Sequence, residues 1–236
     1  MYYWNQDNFD GLKQIYHHFI DDPYFALYAE YCHFRESGLR KIAFKKLEEF
    51  IQNCKKLDVS TQRNIVITLM DIIYNHLSIH QLSSEPLNRY VIKVLKDWMA
   101  TGDQDIQPYQ WLGYLCQDIE FYRKALELDP HQQFCLIQLV KSHLKQVDWQ
   151  THHLDLSFLI GELTHAYDHL TQAHALIDKI DQSSERHKLE IEYRYFTTLL
   201  NAWENYQNSK MDSSFSLWCK DHHIDFNEYI TIYYSN

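Results

Sequence analysis

The chain has 236 residues, 32 Asp and Glu against 22 Lys and Arg, and only 5 Gly and 4 Pro; average usage would supply about 17 and about 12. That scarcity excludes Gly-rich phosphate loops and dinucleotide fingerprints, which need glycine at positive φ or at close backbone approach. The net charge of −10 repels phosphate backbones, so a nucleic acid is not the expected partner and a basic protein is the easier match. The acidity is uneven: residues 148–236 carry 14 acidic and 6 basic side chains, whereas 35–63 carry 4 acidic and 8 basic.

The expected fold is all-α: an irregular array of helical hairpins, about ten to twelve helices in one domain over 1–236, with a closed helical bundle as the alternative. Asp22-Pro23 opens a helix through Tyr24, Leu27, Tyr28 and Tyr31 that stops at Gly38, matching an N-cap, a first-turn proline and a C-terminal glycine. Residues 39–56 form its partner. Ser60 opens an apolar-rich helix to about His80, and Ser84-Glu85-Pro86 opens the next, to Met99. Gly102–Gln107 is a polar break, which makes 100–108 the weakest joint.

Pro108 starts a short helix through Trp111 and Leu115, and Asp118 begins another through Tyr122. Asp129-Pro130-His131-Gln132 has the capping-box pattern and introduces a helix over 131–147. Residues 157–180 and 184–208 are the longest amphipathic runs, and Asp225-Phe226-Asn227-Glu228 caps a last short helix. Tyr2, Tyr3 and Trp4 at one end, and Tyr229, Tyr233 and Tyr234 at the other, are expected to close the ends of the array.

Within 119–147, Tyr122, Ala125 and Pro130 stand where an aromatic and a small residue pack between helices and a proline closes the turn. The segment resembles the end of a tetratricopeptide unit. The resemblance is local, and it implies a helical-repeat scaffold for protein binding rather than a catalytic centre.

Cys32, Cys54, Cys116, Cys135 and Cys219 are odd in number, far apart and without a Cys-x-x-Cys pair, as free thiols of a reducing compartment would be. Met1–Gly11 lacks a signal-peptide pattern, and the apolar run Ile65–Tyr74 is broken by Asp71 and too short to span a bilayer. The expected location is the cytoplasm, without a membrane.

The candidate chemistry lies in the histidines. Glu162, His165 and His169 recur at helical spacing beside the Leu159, Leu163, Ala166, Leu170, Ala173 stripe, where a half-buried polar row at a helix interface is the ordinary outcome and a metal site the rarer one. Glu30 and His33 repeat the Glu-x-x-His spacing but are expected to face solvent. His76 and His80 fall near a helix end, where imidazoles meet terminal carbonyls. Asp148, Trp149, His152 and His153 are expected in a connection between helices, where binding groups concentrate.

No Gly-x-Ser-x-Gly elbow occurs. The expected function is non-enzymatic: a helical-repeat protein that binds a protein partner, for instance a basic one, as an adaptor, chaperone or immunity factor, with no cofactor and no metal. Asp148, Trp149, His152, His153, Glu162, His165 and His169 are its expected partner- or ligand-binding residues. The alternative is a metal-binding or hydrolytic protein using the His152–His169 region. A third reading, nucleic-acid binding through Arg35, Arg40, Lys41, Lys45, Lys46, Lys55 and Lys56, predicts an affinity that collapses with salt.

Overall fold

The computed structural model describes residues 6–209 and 213–226. Among them are eleven α-helices and no strand: α1 Gln6–Phe19, α2 Ala26–Glu36, α3 Arg40–Cys54, α4 Val59–Asn75, α5 Glu85–Met99, α6 Gln107–Cys116, α7 Ile119–Leu128, α8 Gln133–Thr151, α9 Leu163–Ile177, α10 Ser183–Ser209 and α11 Phe215–Asp221. A 3₁₀ turn, Leu154–Leu156, lies between α8 and α9. The chain forms two compact units that divide between Asp118 and Ile119.

In the first unit α2 packs on α1 and α3, and α5 on α3, α4 and α6. The Asp22 carboxylate accepts from the amides of Tyr24 and Phe25, so the backbone turns before α2 begins at Ala26. Gly38, at φ 74°, ends it in the left-handed conformation that glycine adopts without steric cost. Asp58 rather than Ser60 caps α4, accepting from the amide and hydroxyl of Thr61 at 3.0 and 2.6 Å.

α4 stops at Asn75, short of the expected His80, because the chain folds inward there. Ile79 and Leu82 are buried, and a buried loop must find donors for its carbonyls. Tyr28 and Tyr31, one turn apart on α2, supply them: their hydroxyls donate to the Leu82 and Gln81 carbonyls at 2.8 and 2.7 Å. Gly11 of α1 completes the fit, since a β-carbon there would collide with the Ile79 side chain.

The polar 100–108 stretch is tied down. Arg63 of α4 pairs with Asp103 at 3.1 Å and lies 4.7 Å over the Trp98 ring, and Thr101 bonds both Trp98 and Asp103. α6 therefore stays with α5, and the units divide one short helix later, just past Gln117 in left-handed backbone at φ 54°.

In the second unit α8 is the centre, packing against α7, α9 and α10. Its sequence carries apolar residues on most faces, and Cys135, Leu136, Ile137, Leu139, Val140, Leu144 and Val147 are all buried. Asp129 turns the chain by accepting from the His131 amide, but Gln132 caps α8, accepting from the Phe134 amide at 2.7 Å. Gln133 then holds the α9–α10 turn, accepting from the Asp181 amide at 2.7 Å and donating to the Lys179 carbonyl.

α1 and α11 were not anticipated by the helix-start signals. α11 is a half-buried helix capped by Ser214, whose Phe215 and Trp218 pack with Trp203, Tyr206 and Phe226. Asn227 and Glu228 of the expected final cap, with Tyr2, Tyr3, Trp4, Tyr229, Tyr233 and Tyr234, lie outside the described residues. No helix among the described residues is long and apolar enough to cross a membrane.

Candidate functional site

The expected binding segment falls at one end of the second unit. α8 runs to Thr151, so Asp148 and Trp149 belong to its last turn, not to a connection, and His152 is its C-cap. The helix continues because Val147, Gln150 and Thr151 remain buried: the Thr151 hydroxyl donates to the Val147 carbonyl at 2.9 Å, and the Gln150 carbonyl accepts from the Ile160 amide at 2.8 Å. Leu154 plugs the core below, and Ser157 accepts from the Phe215 amide at 2.8 Å, tying the connection to α11.

That anchoring leaves other side chains outside. Trp149 is 57% exposed, Leu156 70% and Phe158 57%. His152 and His153 are half-buried, their rings edge to face at 5.1 Å. Asp148 is half-buried and, after burial itself, is the second cause holding the Glu192 carboxyl above the ordinary glutamate range.

Glu162 precedes α9 as its N-cap residue, but its side chain makes no capping bond. Glu162 and His165 are exposed, and His169 is half-buried. His169 meets a residue that the helical spacing did not single out: the Nδ1 atoms of His169 and His143 lie 3.0 Å apart. One ring must donate and the other accept, so the two cannot both carry a proton there.

His143 is 3% exposed. Burial, then the neighbouring His169 and Arg123, press its pKa down to about 4. His169 is lowered too, chiefly by burial, with Asp168 opposing and His165 reinforcing the shift. The seven expected residues thus do not converge: His165 and His169 share one face of α9, His152 and His153 touch each other, and Trp149 stands apart. Among the described residues no three His, Cys, Asp or Glu side chains group as metal ligands.

Beside His143 a groove of about 440 Å³ runs between α7 and α9. Its floor is Leu136, Leu139 and His143 of α8, with Leu126 and Pro130 on one wall and Ala175 and Leu176 on the other. Arg123, Glu127, Gln172 and Lys179 complete the lining. A mixed apolar and polar lining of this size is typical of ligand clefts. The sequence signal for it was present in the Leu136, Leu139, His143 spacing, but which α7 and α9 residues oppose that row depends on the packing.

The other expected chemistry disperses. Glu30 pairs with Lys46 of α3 at 2.7 Å, and His33 stacks on Tyr16 of the unanticipated α1 at 4.7 Å, so both are half-buried rather than fully in solvent. His76 Nδ1 lies 2.8 Å from the Ile72 carbonyl at the end of α4, as expected of an imidazole there. Arg35 and Arg40 lie over the Phe44 ring at 5.4 and 5.6 Å. All five cysteines are free thiols, four of them buried. Burial pushes Cys54 and Cys219 up to about 11 and Cys135 up to about 12, which disfavours the nucleophilic thiolate.

Compared with protein-family models, with curated proteins and with solved structures, the chain matches none.

Proposed function

We propose that the protein is a non-enzymatic, cytoplasmic helical scaffold that binds a protein partner through the Trp149–Phe158 end of its second unit. The observation that carries this reading is the exposure of Trp149, Leu156 and Phe158 within ten residues of chain that is otherwise firmly anchored. Water gains nothing from an exposed tryptophan, whereas a partner that covers it gains a large, rigid contact area. Asp155 lies within this stretch, Asp148 just before it and Glu162 shortly after it, so the partner segment is apolar and basic. The helical-repeat resemblance supports the scaffold role: Tyr122 and Ala125 are buried, and the Tyr122 ring meets Phe134 across the α7–α8 turn.

A photo-crosslinking residue at Leu156, used in the native cell, tests this reading. One stoichiometric partner is expected, lost with Trp149→Ala and Phe158→Ser and absent when the crosslinker stands at Lys93 of the first unit. Recovery of no stoichiometric partner from position 156 overturns the proposal.

A further inference from the structure

We infer that the groove between α7 and α9 binds an aliphatic carboxylate, a free medium-chain acid whose head group is held by His143, Gln172 and Arg123 and whose chain lies on Leu136 and Leu139. The site is separate from the proposed partner surface and does not rest on it.

The head-group corner is built from donors. His143 is buried yet lines the groove, and its Nδ1 is engaged by His169 at 3.0 Å. When His169 donates in that bond, the single proton of a neutral His143 sits on Nε2, the nitrogen left for a ligand. Burial and the nearby Arg123 keep the ring neutral. Gln172 accepts from Arg123 through Oε1, which leaves its amide N–H groups as donors. That contact is long, at 3.4 Å, whereas Glu120 holds the other guanidinium nitrogen at 2.6 Å. The outer nitrogen can therefore turn from Gln172 to a carboxylate at little cost.

The remaining charges agree. Glu127 lines the groove, but Lys124 holds its carboxylate at 2.8 Å. Lys179 also lines the groove and forms no ion pair among the described residues. This donor-rich groove sits on a unit with 17 acidic and 10 basic side chains, so an anion attracted there responds to the local corner and not to the overall field. Arg123 shares its charge with Glu120, which suits a singly charged head better than a phosphate. The helical rise puts Leu136 and His143 about 10 Å apart along α8, a length that a straight chain of about ten carbons covers.

Calorimetric titration of the full chain tests the site with four probes: decanoate, decanol, decyltrimethylammonium and a tripeptide ending in leucine. Decanoate is expected to bind saturably and at least tenfold more tightly than decanol, the cation not at all and the peptide more weakly than decanoate. Arg123→Gln, at an exposed position, and His143→Phe should bring decanoate down to the level of decanol while leaving decanol unchanged; Trp149→Ala should alter neither. Equal binding of decanol and decanoate, no saturable decanoate binding, indifference to Arg123→Gln, or binding of the peptide in preference to decanoate each overturns the inference.

Discussion

The two units bury polar side chains in opposite ways. In the first, the Tyr28 and Tyr31 hydroxyls each donate to a backbone carbonyl some fifty residues away, in the loop before α5. Burial holds Tyr28 far above the ordinary phenol range and Tyr31 at about 12, so neither group changes charge in the range where cells live. In the second, His143 is buried against another imidazole, His169, and burial lowers the pKa of both. Both arrangements satisfy a buried donor. Only one of them leaves the core answerable to pH, because what matters is how far the buried group's proton lies from neutrality.

The sharpest way to break the comparison is Tyr28→Phe, which strands the buried Leu82 carbonyl without a donor. We expect a loss of about 2 kcal/mol, read by urea unfolding and the same at pH 5 and pH 7. A cost that grew on acidification would contradict the pH-silent role of this core. Acid should instead act on the second unit. His143 titrates near 4 when folded and near 6.5 when unfolded, so the unfolded chain takes the proton first. The stability is complete above about pH 6.5 and is lost as pH falls toward 4, at up to about 1.4 kcal/mol per pH unit. Amide exchange in α8, corrected for its intrinsic pH dependence, should show up to about tenfold less protection per unit, and His143→Gln should flatten the slope.

Two smaller effects sharpen the picture of the second unit. Gly161 has φ 78°, and a β-carbon there would stand 3.4 Å from the Gln150 amide nitrogen. Gly161→Ala should therefore cost about 1 kcal/mol, from backbone strain more than from crowding; a neutral result would show that the connection before α9 relaxes freely. Trp149→Ala should change stability by less than about 0.5 kcal/mol, as surface changes usually do, while removing the crosslinked partner. A large loss of stability would instead make Trp149 a structural residue.

Local chemistry made much of the helical map legible. α5 begins at Glu85 and ends at Met99, as Ser84-Glu85-Pro86 and the following break announce; Ser84 stands at the N-cap without a side-chain capping bond, and the first-turn proline acts on the backbone beside it. α1 carries little helix-start signal: its apolar residues are sparse, and only the packing of Leu12 and Ile15 beneath α2 and the inward loop gives them a core. α8 runs past its expected end for a related reason. Asp148 to His153 looks like a polar connection, but Gln150 and Thr151 are buried and keep the helix going.

The candidate site divides along the same line. Of the half-buried polar row expected from the spacing of Glu162, His165 and His169, only His169 is half-buried, while Glu162 and His165 are exposed. The partner of His169 is not legible in that spacing, since His143 is 26 residues away in sequence and is brought to His169 only by the pairing of α8 with α9. By itself the sequence determined the all-helical class, most helix starts and the acidic balance, all of which follow from composition, periodicity and capping within a few residues. Tertiary structure alone decided which polar groups share a core, where the chain divides and where a groove opens, because each of these depends on which distant faces exclude water together.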